Sequence, residues 1–153
     1  MKRSFNFLFT LLVSGGAFVA TASGPQKAAA NQTMVAVSPS LHKRMCDEAF
    51  ESYAQYNGGI SSEHTRLLRE LKPKDLKVIS TLPLRADGAA IYLINIKNAY
   101  SLFDEKEGGL ILFGGEWLDS KDIKVLPEIK KGYHSFSVGS SVYEFKGKSY
   151  EQN

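Results

Sequence analysis

Three histidines and one cysteine are the residues here best suited to nucleophilic or metal chemistry: His42, His64, His134 and Cys46. Zinc wants several such ligands at close spacing, and one thiol with three scattered imidazoles does not supply them. A Ser-His-Asp hydrolase needs a positioned serine, and no G-x-S-x-G elbow occurs. Gly139-Ser140-Ser141 reads as a turn instead. A thiol pair of Cys46 with His134 would need Cys46 beside a base, whereas its sequence neighbours place it in an apolar helical stripe. The acidic stretches Asp104-Glu105-Lys106-Glu107 and Asp119-Ser120-Lys121-Asp122 lack the alternating ligands and closing glutamate of a calcium loop. Both are expected to be solvated loops. The glycine pairs fall between strands, so none opens a helix to cradle phosphate. No cofactor, no metal and no catalytic residue is expected.

Two features remain. Trp117, the only tryptophan, follows Gly114-Gly115-Glu116, and an indole exposed in such a turn would anchor a partner. Packing over a sheet edge is the alternative. His134 stands among the aromatics of the C-terminal stretch, at the rim of their shared face. Trp117, Glu116 and His134 are therefore the candidate binding residues of a non-enzymatic binding or inhibitory module. The alternative is a small exported hydrolase using His134 with a carboxylate such as Glu144.

The elements that would position these residues follow from pattern. Ser38 caps a first helix, Pro39 suits its first position, and Asn57-Gly58 supplies a left-handed stop. Met45, Cys46, Ala49, Phe50 and Tyr53 form its apolar stripe. A shorter helix starts at Ser61 or Ser62 and ends before Pro73, with His64, Leu67, Leu68 and Leu71 on one face. Strands follow: Leu76 to Leu82, then Ala89 to Ile96, which is apolar on both faces and so central. Tyr100 to Phe103, Leu110 to Phe113 and Ile123 to Leu126 are shorter. In the tail, a two-residue turn at Gly139-Ser140 sets Val138 opposite Ser141, Phe136 opposite Tyr143 and His134 opposite Phe145, which keeps one face apolar. A second turn at Lys146-Gly147 sets Phe145 opposite Lys148 and Tyr143 opposite Tyr150. The expectation is an α+β domain: two N-terminal helices packed on a mainly antiparallel β-sheet that ends in a C-terminal β-meander.

The chain has 153 residues, 43% hydrophobic and 23% charged, enough for one such domain. Its start reads as a secretory signal peptide over residues 1–22: Lys2 and Arg3, then FNFLFTLLV, then Ala20-Thr21-Ala22. A second small-residue site, Ala28-Ala29-Ala30, makes cleavage after Ala30 the other choice. Residues 23–37 are expected to be a flexible lead and 38–153 the single domain. Cleavage takes the basic count from 19 to 17 against 16 acidic residues, so no basic stripe argues for nucleic acid. The apolar run is interrupted by asparagine, glycines and hydroxyl residues, which argues against a stable membrane span after cleavage. The expected compartment is periplasmic or extracellular, and the expected partner an envelope or extracellular protein.

The last thirty or so residues resemble the end of a group of small secreted bacterial proteins of uncharacterised function. The residues that carry this are Val125-Leu126-Pro127, Gly132-Tyr133, and Phe145, Gly147 and Tyr150 in an aromatic-x-Gly-x-x-Tyr turn. The chain departs from that group in lacking paired cysteines and an Asp/Gly-rich turn upstream. His134 also stands where an acidic residue is common. The resemblance implies fold and compartment and carries no catalytic residues.

Overall fold

The computed structural model describes residues 34–153 apart from 112, 114 and 115, so the expected signal peptide and its cleavage sites lie outside the described residues. Two helices, α1 (Pro39–Gly58) and α2 (Ser62–Glu70), precede eight strands. β1 (Leu76–Leu82), β2 (Ile91–Ile96), β3 (Ala99–Asp104) and β4 (Gly109–Ile111) form one antiparallel meander. β5 (Ile123–Lys130), β6 (Tyr133–Val138), β7 (Ser141–Phe145) and β8 (Tyr150–Gln152) form a second. The chain is α+β, with two four-stranded sheets where the sequence pattern suggested one. The reason lies in β2. A strand apolar on both faces needs two covering layers. Ile94 and Ile96 meet α1 residues Met45, Ala49 and Tyr53, while Ile91 and Leu93 meet Phe136, Phe145 and Tyr150 of the second sheet. The first sheet is thus the middle layer.

α1 is punctuated much as its sequence implies. The Ser38 hydroxyl accepts from the Leu41 amide at 3.2 Å, and Pro39 takes the first helical position. The left-handed residue at its end is Gly59 (φ +57), one position later than expected, and its N–H donates to the Gln55 carbonyl. Gly58 has a different task. A Cβ there would lie 2.5 Å from the His64 backbone nitrogen, so its bareness lets α2 turn back closely on α1. Val35 and Val37, in the stretch expected as flexible lead, pack on the core, and the Val35 N–H donates to the Val78 carbonyl at 3.1 Å.

The first tail turn has the expected register, Phe136 opposite Tyr143 and Val138 opposite Ser141. The second does not. Phe145 pairs with Tyr150 and Tyr143 with Gln152, because the loop runs from Lys146 to Ser149 and the Lys146 N–H donates to the Ser149 carbonyl. The slip is by two residues, so the pleat still turns Tyr150 inward, where it is fully buried. His134 is not opposite Phe145 either. Its N–H donates to the Leu84 carbonyl at 2.7 Å, and Ala86 donates to Gly132, so this end of β6 pairs with the link between β1 and β2. That exchange of partners ties the two sheets together.

Candidate functional site

The 116–120 segment, the β6–β7 turn, β8 and the end of α1 enclose a cleft of about 760 Å³. Its walls include Tyr56, Glu116, Asp119, Ser140, Tyr143 and Glu151, over a floor of Phe113, Trp117 and Tyr150. A second cavity of about 420 Å³, bordered by Ser52, Gln55 and Ser101, adjoins it. The two share Tyr56, Glu116 and Trp117, so they meet as one groove running from α1 to the β6–β7 turn.

Local pairing holds the groove in place. Tyr100 and Leu118 exchange backbone hydrogen bonds, both at 2.8 Å, which staples this segment to β3. The Glu116 N–H donates to the Phe113 carbonyl at 2.9 Å and closes the turn before it. These bonds point Trp117 inward. It is only 7% exposed, lies edge-on to Tyr53 at 5.5 Å, and its Nε1–H donates to the Ser52 hydroxyl at 3.2 Å. The exposed anchor considered from sequence is therefore a buried floor residue. Its indole is satisfied by α1, as a buried N–H must be. Glu116 stays exposed beside it, and Tyr56 on the facing helix is 47% exposed.

His134 lies away from this groove. β5 carries a bulge between Val125 and Ile129 around Pro127, and the His134 Nδ1–H donates to the Leu126 carbonyl within it at 3.1 Å. The ring thus satisfies a carbonyl that the bulge removes from the ladder. Glu144 pairs with Lys146 at 3.0 Å, which holds its carboxyl below the usual range. No hydrogen bond joins His134 to Glu144 among the described residues. Of the three sequence candidates, the fold brings Glu116 and Trp117 together and leaves His134 elsewhere.

Two other clusters escaped the sequence reading. His42 and Cys46, one helical turn apart on α1, bring Nδ1 and Sγ to 3.7 Å. The His42 Nε2–H donates to the Leu76 carbonyl at 3.3 Å, so in the neutral ring Nδ1 accepts from the thiol. Burial, and then the Asp47 carboxylate, push the Cys46 thiol above its ordinary value. The i,i+4 spacing was the available signal.

The second cluster corrects an expectation. Asp104, expected in a solvated loop, is 1% exposed. Its Oδ2 accepts from the Tyr133 hydroxyl at 2.6 Å and from Arg85 Nη1 at 2.8 Å, while Oδ1 accepts from the Lys106 and Glu107 amides. Arg85 also grips Asp87 through Nε and Nη2 and lies over the Tyr133 ring at 5.0 Å. Desolvation raises the Asp104 pKa, but the Tyr133 and Arg85 hydrogen bonds outweigh it, and the carboxyl sits below its usual range. Tyr133, buried and donating to that carboxylate, is held well above a free phenol. No short sequence pattern announces a network whose members lie 19, 29 and 48 positions apart.

No protein-family model, curated protein or solved structure matches the chain.

Proposed function

We propose that this is an exported envelope protein, periplasmic or secreted, that works as a non-enzymatic binding or inhibitory module and engages its partner protein through the groove between α1 and the β6–β7 turn. The groove is the observation that carries the reading. It is large enough for several side chains, has a rigid aromatic floor, and is rimmed by exposed polar groups able to orient a ligand. The 116–120 segment is paired to β3 and the β6–β7 turn joins two paired strands, so these walls need little ordering to bind. Export is supported by the n-region, apolar run and small-residue sites at the start of the chain. Among the described residues no helix is long and apolar enough to cross a membrane.

The test is affinity capture from an envelope extract with tagged mature protein, run in parallel with Tyr56→Ala and Ser140→Trp. The first removes an exposed wall and the second obstructs the groove mouth at an exposed turn position. A partner retained by the wild type and lost from both variants, with their melting unchanged, is the expected result. Identical captured sets from all three proteins would sink the proposal.

A further inference from the structure

We propose that the groove receives a lysine or arginine side chain from an extended segment of the partner. This rests on the groove being the binding site, and it adds the chemistry of what enters. Several carboxylates of the fold find cations, Asp47 with Lys43, Glu63 and Glu70 with Arg66, Asp87 and Asp104 with Arg85, Glu144 with Lys146, while others such as Glu48, Asp122 and Glu128 have no ion pair among the described residues. Glu116, Asp119 and Glu151 all border the groove and have no ion pair among the described residues. No lysine, arginine or histidine lines either cavity among those residues, in a chain with 19 lysines and arginines. The charged side chains among the lining residues are thus all acidic.

Three observations narrow the cation. The described residues hold no group of three or more side chains placed to coordinate a metal ion, so the carboxylates are too dispersed to chelate a divalent cation. They border a cleft whose lining also holds aromatic side chains, Tyr56, Tyr143 and the mostly buried Trp117. An apolar stem lying on aromatic rings with a cationic head at the carboxylate rim is how lysine and arginine bury themselves. Finally, the two cavities have Tyr56, Glu116 and Trp117 in common, so an extended chain lying over these residues could reach both, which an isolated small amine could not. Unpaired carboxylates also steer such a segment in from solution.

A short glycine peptide carrying lysines, and the same peptide with each lysine Nε-acetylated, test this by titration of Trp117 emission at low and moderate salt. The lysine peptide should bind about tenfold or more tightly than its acetylated form, and salt should narrow the difference. The combined substitution Glu116→Gln, Asp119→Asn and Glu151→Gln should remove the preference while leaving the melting temperature in place. Tyr56→Ala should weaken binding of both peptides. Equal binding of the two peptides, lost in Tyr56→Ala, would overturn the cation while the groove stands. Lysine-peptide binding unaffected by Tyr56→Ala would mark general surface attraction and overturn the proposal. Binding of neither peptide at millimolar concentration would overturn the cation, and the capture experiment with Tyr56→Ala and Ser140→Trp would still decide the groove.

Discussion

Asp104→Asn probes the join between the sheets. The side chain is 2% exposed and its two oxygens accept four hydrogen bonds, two from Tyr133 and Arg85 and two from backbone amides. Asparagine keeps the shape and one acceptor, removes the charge, and turns an amino group toward groups that donate. Breaking one side of a buried ion pair costs ~3–5 kcal/mol, mostly because the other charge is stranded. Arg85 is not stranded here, since Asp87 holds it through two bonds at 2.9 and 2.8 Å. The expected loss is therefore at the low end, about 3 kcal/mol, against the ~5–15 kcal/mol that a small domain has. Urea unfolding at pH 7 should show a lower midpoint with an unchanged slope. The pH dependence has a definite sign. The Asp104 carboxyl is depressed in the fold. Its contribution is complete above the unfolded carboxylate value, about 4, and is lost as pH falls through the folded value. The gap between wild type and Asp104→Asn should accordingly close in acid. A loss under about 1 kcal/mol at pH 7, or a gap that stays constant from pH 7 to pH 2, would refute the reasoning.

Phe136→Ala, at a fully buried position stacked on Tyr143 at 5.0 Å, should cost about 3–5 kcal/mol, whereas exposed Lys148→Ala should cost almost nothing by the same unfolding assay. Gly147→Val should destabilise despite its exposure, because φ there is +112 and the Lys131 side chain lies 3.1 Å from where a Cβ would stand; an unchanged melt would count against it. Cys46, buried and with its thiol raised, should react slowly with a bulky thiol reagent at pH 8 and rapidly only after denaturation; fast native labelling would contradict this. N-terminal sequencing of the exported protein should begin at Ser23 or Asn31, and an intact Met1 in the membrane fraction would argue otherwise.

What the sequence determined alone is local. Ser38 and Pro39 start α1 because capping and a fixed φ act within one turn of chain. The doubly apolar run Ala89–Ile96 announces a covered strand, found over Ile91–Ile96, since side chains alternate with a period of two. Gly139-Ser140 sets the β6–β7 register because only one pairing keeps the aromatics together. The Lys146 loop shows the limit of that logic: face is legible, but a slip of two residues leaves the face unchanged and cannot be detected from it. Tertiary structure decided the rest. A period-two pattern says that β2 is covered, and only the fold shows α1 on one side and a second sheet on the other. A tryptophan after two glycines is compatible with an anchor or a floor, and the choice depended on Ser52, 65 residues away, accepting its N–H. Asp104 looked like a loop carboxylate until Arg85 and Tyr133 closed over it. Glu151 comes to border the same cleft as Glu116 and Asp119 only through the fold, since β8 lies about thirty residues further along the chain. Charge and burial depend on neighbours in space, and the chain order of these residues contains no record of them.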